Sequence, residues 1–146
     1  MRFSVKADYA IRAALELALR EPISPVTSTA EVARRISAPP RFLEAVLAQL
    51  RRGGLVESVR GVRGGHRLAR PASRISAGDV LRAVEGPAAL SPRPPPRRPA
   101  TDGASRAVQQ LWREAGQAVA GVLDAATLED LKHRAEEASG GTDYAI

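Results

Sequence analysis

Apolar residues recur at helical spacing in several stretches of the chain, and Pro, Gly and Ser mark the breaks between them. Ile11, Leu15, Ala18 and Leu19 share one face of a first helix over about residues 5–20, with Ser4 placed to cap it. Pro22 and Pro25 end that helix. Ser28-Thr-Ala-Glu31 is a capping-box pattern and opens a short second helix over about 29–36. Ser37 to Pro39 turn the chain, and a third helix starts at Pro39 or Pro40, where proline suits the first turn. Its stripe is Leu43, Val46, Leu47 and Leu50, and Gly53-Gly54 stop it. A short helix, a tight turn and a longer helix with a polar outer face form a helix-turn-helix plan.

The periodicity then changes. Two short strand-like segments, Leu55 to Val59 and His66 to Ala69, flank a tip of Gly and Arg residues. Gly permits a tight hairpin turn, and Arg at such a tip can enter a narrow, negatively charged groove. A hairpin directly after a helix-turn-helix reads as the wing of a winged-helix DNA-binding domain. Gly64 and Gly65 read as turn-formers.

Ser76-Ala-Gly-Asp79 opens another helix over about 77–85, with Val80, Leu81 and Val84 inward and Gly86 at its end. Prolines from Pro92 to Pro99 rule out helix or central strand there, so the segment reads as an extended or mobile loop. A long helix returns over about 105–123, with Val108, Leu111, Trp112, Ala115, Val119, Val122 and Leu123 on one face. Thr127 caps a last helix holding Leu128 and Leu131, and the tail from Glu136 is expected to fray. The expected class is mainly α with a small β-hairpin wing. The expected division is a winged helix-turn-helix head at 1–86, a Pro/Arg-rich loop at 87–103, a dimerisation helix and terminal helix at 104–137, and a flexible tail at 138–146.

Composition narrows the function. The 146 residues suit one domain, or one domain with an appendage. Aromatics are only 3%, so aliphatic residues and alanine must build the core. No apolar run reaches a membrane span, and Asp8, Arg12 and Glu16 interrupt any signal-peptide plan, so a cytoplasmic location is expected. The net charge of +6 is uneven: residues 1–86 carry 15 Lys and Arg against 8 acids, whereas residues 101–146 carry 4 against 8. A basic front joined to an acidic back fits a nucleic-acid-binding half beside a segment with another task. Cysteine is absent, which excludes disulfides, thiolate metal sites and any iron–sulfur cluster held by cysteines of this chain. No catalytic triad, phosphate loop or paired-carboxylate motif is present, and no enzymatic activity is expected. His66 and His133 lie far apart without metal-ligand partners in sequence, so no metal or cofactor is expected.

The motifs resemble, in order and spacing, the Rrf2 family of bacterial winged-helix regulators of the IscR, NsrR and CymR type. Met1-Arg-Phe-Ser-Val-Lys6-Ala-Asp-Tyr9-Ala10, Ala38-Pro-Pro-Arg-Phe42-Leu43-Glu44 and Leu47-Ala-Gln-Leu-Arg-Arg-Gly53-Gly-Leu-Val56 carry the resemblance. So do Ser58-Val-Arg60-Gly61-Val-Arg-Gly64-Gly65, Ile75-Ser-Ala-Gly-Asp79, the Trp112 helix and Ala126-Thr127-Leu128. The likeness spans roughly residues 1–132. It implies a homodimer that pairs through the long helix, by Leu111, Trp112, Ala115, Val119 and Val122. It also implies two heads on a double-stranded operator with inverted-repeat half-sites about one helical turn apart, and a repressor mechanism. Many members hold an iron–sulfur cluster through three cysteines in the loop that here is Pro87 to Gly103. This loop has none, and Asp8, near a position that supplies a further ligand in some members, cannot hold a cluster without thiolates.

The candidate DNA-binding residues are Lys6, Tyr9, Pro40, Arg41, Phe42, Glu44, Arg60, Gly61, Arg63 and Gly64. On a recognition helix Glu44 can accept from cytosine amino groups and Arg41 can grip guanine or phosphate; both can also be solvated surface. The resemblance places the segment from Pro40 to Glu44 in the major groove, Arg60-Gly61 in the minor groove, and Lys6 and Tyr9 near phosphates. Tyr9 is equally suited to the core, and Phe42 to packing between helix and sugar. Arg63 departs from the family's Gly-rich tip, as an added phosphate contact or a tolerated change. Arg51 and Arg52 suit backbone phosphate or acidic neighbours. Arg93, Arg97 and Arg98 suit a basic loop, added DNA attraction or an effector contact. Alternatives to a DNA-binding repressor are a winged-helix protein-interaction module, or a small-molecule-responsive regulator with a pocket between head and long helix; the effector could also be a protein.

Overall fold

Ser4 takes an extended conformation and accepts from the Ala7 N–H, which satisfies a first-turn donor and starts α1, Val5–Arg20. The computed structural model describes residues 3–91 and 101–143. Among them the order continues with α2 (Thr29–Ile36), α3 (Pro40–Arg52), β1 (Val56–Val59), β2 (Gly65–Leu68), a 3-10 turn at Ala72–Arg74, α4 (Ala77–Glu85), α5 (Gly103–Ala125) and α6 (Leu128–Asp143). The two strands form an antiparallel hairpin with Val56 opposite Leu68 and Val59 opposite Gly65. Mainly helical structure with a small hairpin after a helix-turn-helix is the winged-helix arrangement.

One apolar core joins the helices of the head. Leu43, Val46, Leu47 and Leu50 of α3 are all buried, as their spacing predicts. They meet Val32 of α2, Leu55 and Val56 at the start of the hairpin, and Ile75, Val80 and Val84 around α4. The stripe expected on α1 is corrected. Its buried face is Ala7, Ala10, Ala13, Ala14, Leu17 and Ala18, while Ile11, Leu15 and Leu19 are only half-buried. The physical reason is crowding: α1 packs against α2, α3, α4, α6 and β2, and small side chains let so many neighbours approach.

The capping patterns resolve differently from one another. Ser76 and Asp79 form a complete capping box, and Thr127 and Asp130 form another at α6. At α2 only half of the box forms. Ser28 accepts from the Glu31 N–H, but the Glu31 carboxylate pairs with Arg34 and Arg35 instead of reaching back. Those two arginines hold Glu31 below the usual carboxylate range. Asp102, which was not foreseen, caps α5 by accepting from Ser105 and draws the helix start forward to Gly103.

The tail expected to fray from Glu136 is helical through Asp143. Nothing in that stretch is proline, and its helix is anchored at the start: Leu128 is fully buried in the head's core and Leu131 packs against it. Ser76 and Thr127 also form a backbone bridge, so the chain returns to the head after α5. Residues 87–91 form a tight turn, with the Ala89 N–H on the Gly86 carbonyl at 3.0 Å. The proline run 92–99, with Arg93, Arg97 and Arg98, lies outside the described residues.

Candidate nucleic-acid interface

The turn between α2 and α3 is made by Ser37, whose φ of +54° is left-handed, and by Pro39 and Pro40, which preset the first turn of α3. No side chain caps the N-terminus of α3. Arg41 and Glu44 are exposed on its first turns, and neither makes an ion pair or side-chain hydrogen bond among the described residues. Phe42 between them is half-buried against the core. Its ring meets that of Tyr9 edge to face, with centroids 5.6 Å apart and planes at 67°. The sequence left Tyr9 open between core and DNA, and the ring now has a definite partner: it braces α3 against α1. Lys6 lies one turn before Tyr9 and is partly exposed.

The wing is built by three glycines with separate tasks. Gly61 has a φ of +113°, which L side chains rarely adopt. Gly64, read from sequence as a turn-former, closes the turn and is also a close-approach residue, whereas Gly65, read the same way, lies in β2 and serves close approach. A Cβ on Gly64 would lie 2.0 Å from the Val59 carbonyl oxygen, and one on Gly65 would lie 2.6 Å from the Thr27 carbonyl. The Gly64 N–H donates to the Gly61 carbonyl at 2.9 Å, closing a four-residue turn. Arg60, Val62 and Arg63 are exposed on this tip, and neither arginine has an ion pair among the described residues.

His66 joins the wing to the helix-turn-helix, a role that sequence reasoning missed. Its backbone exchanges two hydrogen bonds with Thr27, at 2.9 and 2.8 Å, just before α2. Its ring pairs Nε2 with the Thr29 hydroxyl at 2.8 Å and Nδ1 with the Ser58 hydroxyl at 3.0 Å. Arg51, at the end of α3, donates to the same Ser58 oxygen at 3.4 Å. Burial pushes the His66 pKa down, and the Arg51 cation adds to the effect, so the neutral imidazole is favoured. The hint in the sequence was a histidine flanked by hydroxyl-bearing residues on two predicted elements, but only the fold brings them together.

Behind the head, α5 buries none of its residues. Leu111 is 56% exposed, Trp112 65% and Val122 68%, and Ala115 is exposed on the same face. Val119 differs: it is half-buried and, with Phe3, Leu81 and Leu90, lines a cleft of about 380 Å³ between head and helix. The Ser4 hydroxyl hydrogen-bonds the Glu85 carboxylate at its wall. The C-terminal end of α5 is fixed by two hydrogen bonds from the Arg82 guanidinium to Asp124, at 2.7 and 2.9 Å. Asp124 takes this position against a glycine: a Cβ on Gly78 would lie 1.9 Å from its Oδ1, and the carboxylate would have to move.

A helix-turn-helix and a wing whose tip cations have no ion pair among the described residues define a winged-helix DNA-binding protein. Residues 3–134 match the Rrf2 family, described as iron-dependent transcriptional regulators, and the chain belongs to that family. It is 36% identical over 131 residues to the HTH-type transcriptional regulator CymR of Bacillus subtilis, covering 90% of this chain and 89% of the relative. The structure of B. subtilis CymR, described as the global cysteine regulator, superposes with a TM-score of 0.76 at 33% identity, over 92% of this chain and 98% of that one. The T. potens IscR structure gives 0.77 at 33% identity, over 94% and 90%. The protein is accordingly a DNA-binding transcriptional regulator and not an enzyme.

The donors of this chain do not fit an iron–sulfur cluster held by cysteines, because the sequence contains none. Among the described residues no group of three or more His, Asp or Glu is placed to hold a metal ion. Asp8 instead pairs with Arg12 at 2.7 Å on the exposed side of α1. No helix among the described residues is long and apolar enough to cross a membrane.

Proposed function

We propose that the protein is a homodimeric repressor acting in the cytoplasm, which occupies an inverted-repeat operator and blocks RNA polymerase without an iron–sulfur cluster. One observation carries the reading: Arg41 and Glu44 on the α3 first turn and Arg60 and Arg63 on the wing tip are exposed without an ion pair among the described residues, and the His66 network holds the two elements in one frame. In this reading residues 1–86 form the DNA-binding head. Pro40, Arg41 and Glu44 read the major groove, with Phe42 and Tyr9 bracing them. Arg60 and Gly61 enter the minor groove, Arg63 and Gly64 complete the wing, and Lys6 contacts phosphate. Leu111, Trp112, Ala115 and Val122 pair with their copies in a partner subunit, which removes an apolar stripe from water. Val119 borders that stripe from the side of its own head. The cleft beside Val119 favours an effector as the switch in place of a cluster.

Binding the purified full chain to sheared DNA of its own host, and sequencing what is retained, tests this directly. A short inverted repeat upstream of a few genes is expected. Uniform retention that moderate salt removes would replace the reading with non-specific attraction and favour a protein-interaction module. Arg60→Ala is expected to weaken operator binding by about 1–3 kcal/mol in a titration. Unchanged affinity would remove Arg60 from the interface.

A further inference from the structure

The closed turn from Gly61 to Gly64 makes Val62 and Arg63 its two central residues. Central residues of a tight turn stand furthest from the strands, so these two, and not Arg60 alone, form the leading edge of the wing. Val62 is fully exposed at this edge. The turn cannot fold inward to cover it. Gly64 is pressed against the Val59 carbonyl and leaves no room beneath, and the left-handed Gly61 fixes the reversal.

The chemistry of this edge is one-sided. From Arg60 to Gly64 the side chains offer guanidinium donors and methyl groups, and no acceptor. The floor of the minor groove offers only acceptors at A·T and T·A pairs, whereas a G·C pair adds the guanine 2-amino donor. Arginine donors match the first floor. The guanine amino group would meet the Val62 methyls and two cations with no side chain able to accept from it, and a donor buried without an acceptor is costly. Narrow A·T-rich grooves also carry the more negative potential and draw arginine in.

We propose that Val62 and Arg63 make the wing a selector of A·T pairs, rejecting the minor-groove amino group of guanine at the flank of each half-site. The proposal rests on the wing lying in the minor groove, as set out above. Val62 supplies the exclusion and Arg63 a second donor set beside Arg60.

The test alters the DNA and leaves the protein intact. The full chain is titrated with a captured operator whose wing-protected pairs are A·T, G·C, inosine·C or diaminopurine·T. Inosine·C keeps the major-groove face of G·C but lacks the amino group, and diaminopurine·T adds that group to an A·T pair. G·C and diaminopurine·T are expected to bind about tenfold more weakly than A·T, with inosine·C close to A·T. Val62→Thr, of the same shape but with an accepting hydroxyl, should narrow the difference, and Arg63→Ala should weaken A·T binding more than G·C binding. Inosine·C binding as weakly as G·C, or discrimination unchanged in both variants, overturns the proposal. An operator bound in an Arg60-dependent way but indifferent to these pairs overturns it alone. If no operator is captured, the DNA-reading assignment falls with it.

Discussion

In α3, Leu43, Val46, Leu47 and Leu50 are all buried. In α5, Leu111, Trp112 and Val122 recur at comparable helical spacing and are each more than half exposed. The two helices carry the same kind of stripe, yet only the first is fully covered by its own chain. In α5 Val119 alone among the expected pairing residues lies half-buried beside the head. A period of 3.6 states that a helix has a face to bury and is silent on what covers it. In α3 the cover is a crowd of neighbours within one head. For α5 we assign it to a second subunit, which makes the stability of one region a property of the fold and that of the other a property of concentration.

Substitutions can break this contrast. Leu50→Ala should lower unfolding stability by about 2–5 kcal/mol, because a cavity opens in a region that cannot collapse. A shift of the urea midpoint independent of protein concentration would bear that out. Leu128→Ala should fall in the same range although it belongs to the last helix, since Leu128 is fully buried in the head's core. A cost below about 0.5 kcal/mol would separate α6 from the head's cooperative unit.

Trp112→Ala tests the other side of the comparison. Sedimentation equilibrium should show the dimer dissociating at concentrations where the natural chain remains paired, with a loss of about 2 kcal/mol or more of association energy. An unchanged dimer would move the interface off this stripe. Gly78→Ala acts where the two regions join. The new methyl must displace the part-exposed Asp124 carboxylate from Arg82, so the cost in thermal unfolding should be about that of losing the pair, within about 1 kcal/mol. Arg82→Ala removes the same part-exposed pair and should cost a similar amount, within about 1 kcal/mol.

The smallest effect is one of pH. The folded His66 has a depressed pKa, while the unfolded chain titrates near the ordinary 6.5. As pH falls from 6.5 toward the folded value, the unfolded state binds the proton first, so stability contributed by the neutral ring is complete above 6.5 and is lost through that window. Urea midpoints at about pH 7.5 and about pH 5.5 should differ more for the natural chain than for His66→Gln. Equal differences would show that the ring protonates freely in the folded wing.

What could be read from the sequence was local. Ser4, Ser76 and Thr127 announced their caps within three residues, and the α3 stripe declared itself within eight. The contacts that escaped link distant positions. Gly65 is a close-approach residue only because Thr27 runs against it, and His66 is a hub only because Ser58 and Thr29 lie on either side. The alanine face of α1 was missed for a related reason: its burial comes from the number of helices around it, which no window along the chain contains. Leu128 stood in a stretch read as terminal and proved to be core, since the return of the chain is a matter of topology.

The Arg82–Asp124 clamp also fixes how α5 can move. The helix is held to its head at one end, by that pair and by the Ala77 N–H on the Ala126 carbonyl. Its 23 residues span about 35 Å. A rotation of about 10° about that end would swing the far end by about 6 Å. In the proposed dimer, with half-sites one turn apart on DNA and so separated by about 34–36 Å, such a swing would change the spacing of the two heads. In that reading the glycine at position 78, which leaves room for Asp124, would bear on the distance between two stretches of DNA that it never approaches.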